Sequence, residues 1–141
     1  YGIHFKGEIM ENREKLIEAA NNMLERAYTP YSKFPVGAAL LTKEGKIYGG
    51  CNIENAAYPV TVCAERTALF KAISEGDYDF AGLVVTSRSH NATAPCGSCR
   101  QVISEFCSSD MPVLMTHESG EVEIIKTVGE LLPAAFSEGD M

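Results

Sequence analysis

The chain has 141 residues, 45% of them hydrophobic, which suits one domain with a sizeable single core and leaves no room for a second. Its formal net charge of -7 argues against a polyanionic partner, because nucleic-acid binding draws most of its affinity from Lys and Arg set against phosphate. No apolar run approaches the length of a membrane span, and the first ten residues lack the apolar core of a signal peptide.

Residues 1–9 are expected to be foreign to the domain, with Met10 as its natural start. Asn12 to Ala27 repeats apolar residues at Leu16, Ile17, Ala20, Met23, Leu24 and Ala27, which is one apolar helical face. Thr29-Pro30-Tyr31 ends that helix. Val36 to Leu41 is an apolar strand, and Thr42-Lys43-Glu44-Gly45 turns it into a second strand over Lys46 to Gly49, giving a hairpin. Cys51 to Val62 is a loop rich in Asn and Ala, leading to a helix over Cys63 to Ser74 that Glu75-Gly76-Asp77 terminates. The β-branched run Leu83 to Thr86 is a buried third strand, followed by a polar loop from Ser87 to Ala94. Cys99 to Cys107 is helical again, and strands follow at Pro112 to Thr116 and Val122 to Ile125, with a turn at Ser119-Gly120. Ser137 to Met141 is a frayed tail. Two strand-helix-strand crossings imply parallel neighbours, and the hairpin an antiparallel pair. The expected fold class is α/β: one domain over residues 10–136, three-layer αβα, with a mixed five-stranded sheet.

Chemistry concentrates at Cys63-Ala64-Glu65 and at Pro95-Cys96-Gly97-Ser98-Cys99. Three thiolates and one carboxylate describe a catalytic zinc site, in which three protein ligands leave the fourth tetrahedral position open. Cys96 and Cys99, three apart, share a helical face. Cys63 and Glu65, two apart, converge only near a helix mouth, so two helix N-termini facing one metal is the arrangement expected. Their partial positive charge favours thiolate over thiol. Three thiolates leave Zn²⁺ with excess negative charge, which Arg66 and Arg100, each following a ligand motif, are placed to offset. An odd count of five cysteines, three of them at ligand spacing, fits a reducing, cytosolic compartment. Cys51 and Cys107 are expected bystanders, and His4, His90 and His117 poor ligands. Competing readings are buried small hydrophobes, a Cys-x-x-Cys redox pair, or a zinc-stabilised interaction module without catalysis, which would need a fourth ligand.

At these residues the chain resembles the zinc-dependent cytidine deaminases, whose signature is His or Cys, one residue, Glu, then Pro-Cys-x-x-Cys. The resemblance extends through Tyr31-Ser32-Lys33-Phe34, Val36-Gly37-Ala38-Ala39, Cys51-Asn52-Ile53-Glu54-Asn55-Ala56 and Leu131-Leu132-Pro133 with Phe136. It covers nearly all of residues 12–136 and looks like the small homotetrameric free-nucleoside type. It implies the cytidine-deaminase-like fold, one Zn²⁺ per chain on Cys63, Cys96 and Cys99, and hydrolysis of cytidine and deoxycytidine with Glu65 as proton shuttle. It also implies substrate contacts from Phe34, Asn52, Glu54 and Ala64, and from Ala56, Tyr58 and Phe136 at or near a neighbouring subunit's pocket. Partners are then a free nucleoside and three further copies, without nucleic acid or membrane. An alternative within the family is a deaminase of another aminopyrimidine nucleoside, such as a blasticidin-type antibiotic.

Overall fold

The apolar and β-branched runs assemble into one five-stranded sheet in the computed structural model, which describes residues 2–141, with side chains from Gly7 onward. The strands are β1 (Val36–Thr42), β2 (Ile47–Cys51), β3 (Phe80–Ser87), β4 (Pro112–His117) and β5 (Glu123–Thr127). Their order is β2-β1-β3-β4-β5. The middle strand β3 is buried at every position and pairs antiparallel with β1 and parallel with β4. Both outer pairs are antiparallel.

One expectation is corrected. The two crossings imply two parallel neighbour pairs, but among the described strands only β3 and β4 pair in parallel, because β1 lies between β2 and β3. Burial explains the order. All but the first residue of β1 is buried, so β1 needs a neighbour on each side, whereas β2 is less completely buried and takes the edge.

Side chains alternate across the sheet and build two cores. Ala39 and Leu41 of β1 face α1 (Gly2–Glu11) and α2 (Arg13–Leu24), where Ile9, Leu16, Ile17 and Ala20 meet Val84 and Leu114. Ala38 and Leu40 face α3 (Ala64–Ser74), α4 (Gly97–Phe106) and the short α5 (Val128–Leu131), with Leu69, Ile103, Val113 and Met115. Ile9, placed before the expected boundary at Met10, is fully buried and lies against Gly82. At the other end, Glu138–Asp140 forms a 3₁₀ turn capped by Ser137 in the stretch expected to fray. Among the described residues, no helix is long and apolar enough to cross a membrane.

The position of α3 depends on one glycine. A Cβ on Gly50 in β2 would lie 2.4 Å from Ala64 O and 2.5 Å from Ala68 N. The bare backbone lets the first turns of α3 rest directly on the sheet, which sets where the chain just before and within that turn must sit.

Candidate metal centre and active site

Cys63 caps α3 and Cys96 caps α4, both with extended backbone (φ -77, ψ 158 and φ -70, ψ 170) and neither using its side chain as a cap. Cys99 follows in the first turn of α4 and is fully buried. The three Sγ atoms lie within 4.8 Å of one another, with Cys63 Sγ 3.7 Å from Cys96 Sγ. Zn–S bonds of about 2.3 Å give a tetrahedral edge of about 3.8 Å, whereas a disulfide needs about 2.05 Å. Spacing and donor chemistry therefore fit zinc. The hydrogen bond from Cys99 lowers Cys63 to about 5, with further help from Arg66 and Cys96 against the opposing effect of burial. Cys99 is pushed well above the usual thiol range, first by that same bond to Cys63 and then by burial.

Glu65 stands one residue inside α3 and is only 4% exposed. Burial pushes its carboxyl up from 4.5 to about 7. It lines a cavity of about 150 Å³ together with Cys63, Cys96, Ala64, Phe34 and Asn52. A space of that order admits a single six-membered ring. A groove of about 320 Å³ along α2 is larger, but it contains none of the three thiols, so chemistry rather than size selects the site.

The remaining expected residues fall into three groups. Asn52 and Glu54 engage the segment that carries Phe34. Asn52 Nδ2 donates to Phe34 O (2.9 Å) and its Oδ1 accepts from Val36 N (2.9 Å). Glu54, nearly buried, accepts from Tyr31 N (3.0 Å), Ser32 N (3.1 Å) and the Ser32 hydroxyl. The arginines differ in where they point. Arg66 Nη2 lies 3.4 Å from Cys63 Sγ and 3.3 Å from Thr61 O, and its buried Nε has no partner among the described residues. Arg100 donates through Nε to Pro95 O (2.8 Å) and through Nη1 to Leu131 O (2.9 Å), tying the start of the ligand motif to α5. Ala56, Tyr58 and Phe136 are exposed and do not line the cavity of their own chain.

Cys51 and Cys107 are buried away from the thiol cluster. His117 bonds Ser119, His90 lies outside the cluster, and the side chain of His4 lies outside the described residues. The sequence reading missed Val36, Thr93 and Ala94, which complete the cavity wall. Thr93 is held by a hydroxyl contact with Ser87 at the end of β3. Its one available signal was that the loop containing it runs directly into Pro95-Cys96.

A family model described as the cytidine and deoxycytidylate deaminase zinc-binding region matches residues 10–115. The chain is 56% identical over 128 residues to a cytidine deaminase of Sporosarcina psychrophila, covering 91% of this chain and 93% of that one. It is 34% identical over 131 residues to a blasticidin-S deaminase of Bacillus cereus, covering 87% and 91%. Among solved structures it matches a cytidine deaminase from Burkholderia pseudomallei with a TM-score of 0.83 and 46% identity, covering 87% of this chain and 98% of that one.

Proposed function

The chain belongs to the cytidine and deoxycytidylate deaminase family, and from that premise we propose that it hydrolyses cytidine and deoxycytidine to uridine and deoxyuridine, releasing ammonia. The observation that carries this reading is the buried Glu65 carboxyl on the wall of the cavity that Cys63 and Cys96 also line. Cys63, Cys96 and Cys99 would hold one Zn²⁺ through their sulfurs, and the metal, when bound, supplies a Lewis acid that makes water easier to deprotonate.

The chain's own residues do the rest. Glu65 removes a proton from the water whose oxygen adds to ring carbon C4, and delivers it to ring nitrogen N3. It then takes the second proton of that oxygen to the amino nitrogen, which leaves as ammonia while the C4 carbonyl forms. One water is consumed and one ammonia released per turnover. Burial raises that carboxyl above its ordinary value, which suits a group that takes and returns a proton in the same cycle. Phe34 and Ala64 bound the ring, and Asn52 and Glu54 serve the ribose end. Identity to cytidine deaminase reaches 56%, against 34% to the blasticidin-S enzyme, which favours the plain nucleoside.

The reading extends to a homotetramer in the cytoplasm, acting in pyrimidine salvage. Tyr58 and Phe136 support the assembly, since they are 63% and 60% exposed in the single chain at positions the resemblance assigns to a neighbour's pocket. The odd cysteine count and the thiol cluster support a reducing compartment. Loss of ultraviolet absorbance with ammonia release, measured on cytidine beside CMP, single-stranded DNA and blasticidin S, tests the proposal. Turnover of cytidine is the expected result, and turnover of only one of the others would overturn it.

A further inference from the structure

We propose that Ser32 is a positioning residue of this site: its hydroxyl joins the Glu54 carboxylate to the backbone of Phe34 and so fixes the Phe34 ring on the cavity wall. The proposal rests on the deaminase reading above. A hydroxyl has one proton to give and lone pairs with which to accept. Ser32 gives its proton to Glu54 and accepts from Phe34 N at 3.0 Å. Asn52 Nδ2 takes Phe34 O at 2.9 Å, so both backbone polar groups of Phe34 are held by side chains.

These bonds have work to do because little else orients the ring. Phe34 is 43% exposed, so packing alone leaves it loose. Lys33, between the two bonded residues, has φ 58°, a left-handed conformation that a residue with a Cβ adopts only under local constraint. A serine hydroxyl bonded two residues onward is a recognised means of holding such a turn. The anchoring side is firm by comparison. Glu54 N donates to Tyr28 O, Tyr28 N donates to Asn52 O, and Ile53 exchanges backbone bonds with Val62 just before Cys63. Ser32 thus transmits the position of the platform beside the thiols to a ring that lines the same cavity as Cys63 and Cys96. Three donors converge on Glu54, and the Ser32 hydroxyl is the largest cause of its depressed carboxyl.

The test is a double-mutant cycle on Ser32→Ala and Phe34→Ala. Ser32→Ala should raise KM for cytidine about fivefold, the scale of one net hydrogen bond, with a smaller change in kcat. Ser32→Thr should restore most of the loss. In the Phe34→Ala background, Ser32→Ala should have no further effect on KM. A full additive loss there would overturn the proposal, since Ser32 would then act without the ring. Amide hydrogen exchange at Phe34 gives a second readout that needs no turnover. It should be faster in Ser32→Ala than in the unmodified protein, and unchanged protection would overturn the proposal even if cytidine is not the substrate. Failure of the unmodified protein on cytidine strikes the deaminase reading instead. Ser32→Cys, close in size but a weak donor, carries the same comparisons should Ser32→Ala fold poorly.

Discussion

Replacing Gly50 with Ala should damage the site although Gly50 does not itself line the cavity. The added Cβ would sit 2.4 Å from Ala64 O and 2.5 Å from Ala68 N. Ordinary contacts begin near 3.4 Å, so α3 must retreat by about 1 Å. Both obstructing atoms are helix backbone, so no side-chain rotation relieves the clash. Overpacking of this kind costs about 1–3 kcal/mol, which for a domain this size lowers Tm by about 3–10 °C. The retreat also shifts Cys63 and Glu65 relative to Cys96 and Cys99, which ride on α4. The 3.7 Å sulfur separation would no longer match a tetrahedral edge, so zinc content should fall. Misplacement by about 1 Å is enough to reduce kcat/KM about 100-fold. Calorimetry, metal analysis and cytidine kinetics on one preparation check the three effects together. An unchanged Tm would refute the close-approach reasoning. A lowered Tm with full zinc and normal kinetics would show that α3 and the site do not move together.

Arg66→Gln removes the guanidinium beside Cys63 Sγ, so its thiolate becomes harder to form. The pH at which zinc is released should rise by about one unit, followed with a chromogenic metal indicator; an unshifted release curve would exclude Arg66 from charge balance. Arg100→Gln loses bonds to Pro95 O and Leu131 O and should cost about 2 kcal/mol of stability, measured by urea unfolding. Glu54 is held below its ordinary value of 4.5, first by the Ser32 hydroxyl. Its stabilising effect is therefore complete above about 4.5 and is lost as pH falls through the lower folded value. Glu54→Gln should flatten the acid side of the stability profile in that window, and an unchanged slope in acid unfolding would contradict it.

The parts of the site that could be read in the sequence were those whose geometry is local. The spacing Cys63-x-Glu65 forced convergence at a helix mouth, and Cys63 and Cys96 do stand at the caps of α3 and α4. Helix periodicity located α2 through Leu16, Ile17 and Ala20. Local pattern marked only the Leu83–Thr86 centre of β3, because Ala81 and Gly82 carry little strand signal while lying in the same buried strand. What depended on distant pairing was not legible. The insertion of β1 beside β3 is decided by burial on both faces and both edges, which adjacent residues do not encode. Thr93 and Ala94 reach the cavity only because the loop after β3 folds back toward α3. The hydrogen bonds of Asn52 and Glu54 to residues 31–36 likewise join segments about twenty residues apart. Helix α1 runs through the stretch expected to be foreign to the domain, although Ile9 within it is fully buried.

The central claim is that Glu65 moves the protons of a deamination carried out beside three metal-binding thiols. Steady-state turnover of cytidine by Glu65→Gln, with zinc per chain determined on the same sample, tests it most directly. The substitution keeps shape and burial but cannot accept the proton. The expected result is about one zinc per chain, an unchanged unfolding temperature, and turnover reduced by at least about 100-fold, the lower end of what general acid-base catalysis contributes. A Glu65→Gln protein that binds zinc and deaminates cytidine at the rate of the unmodified enzyme would contradict the account.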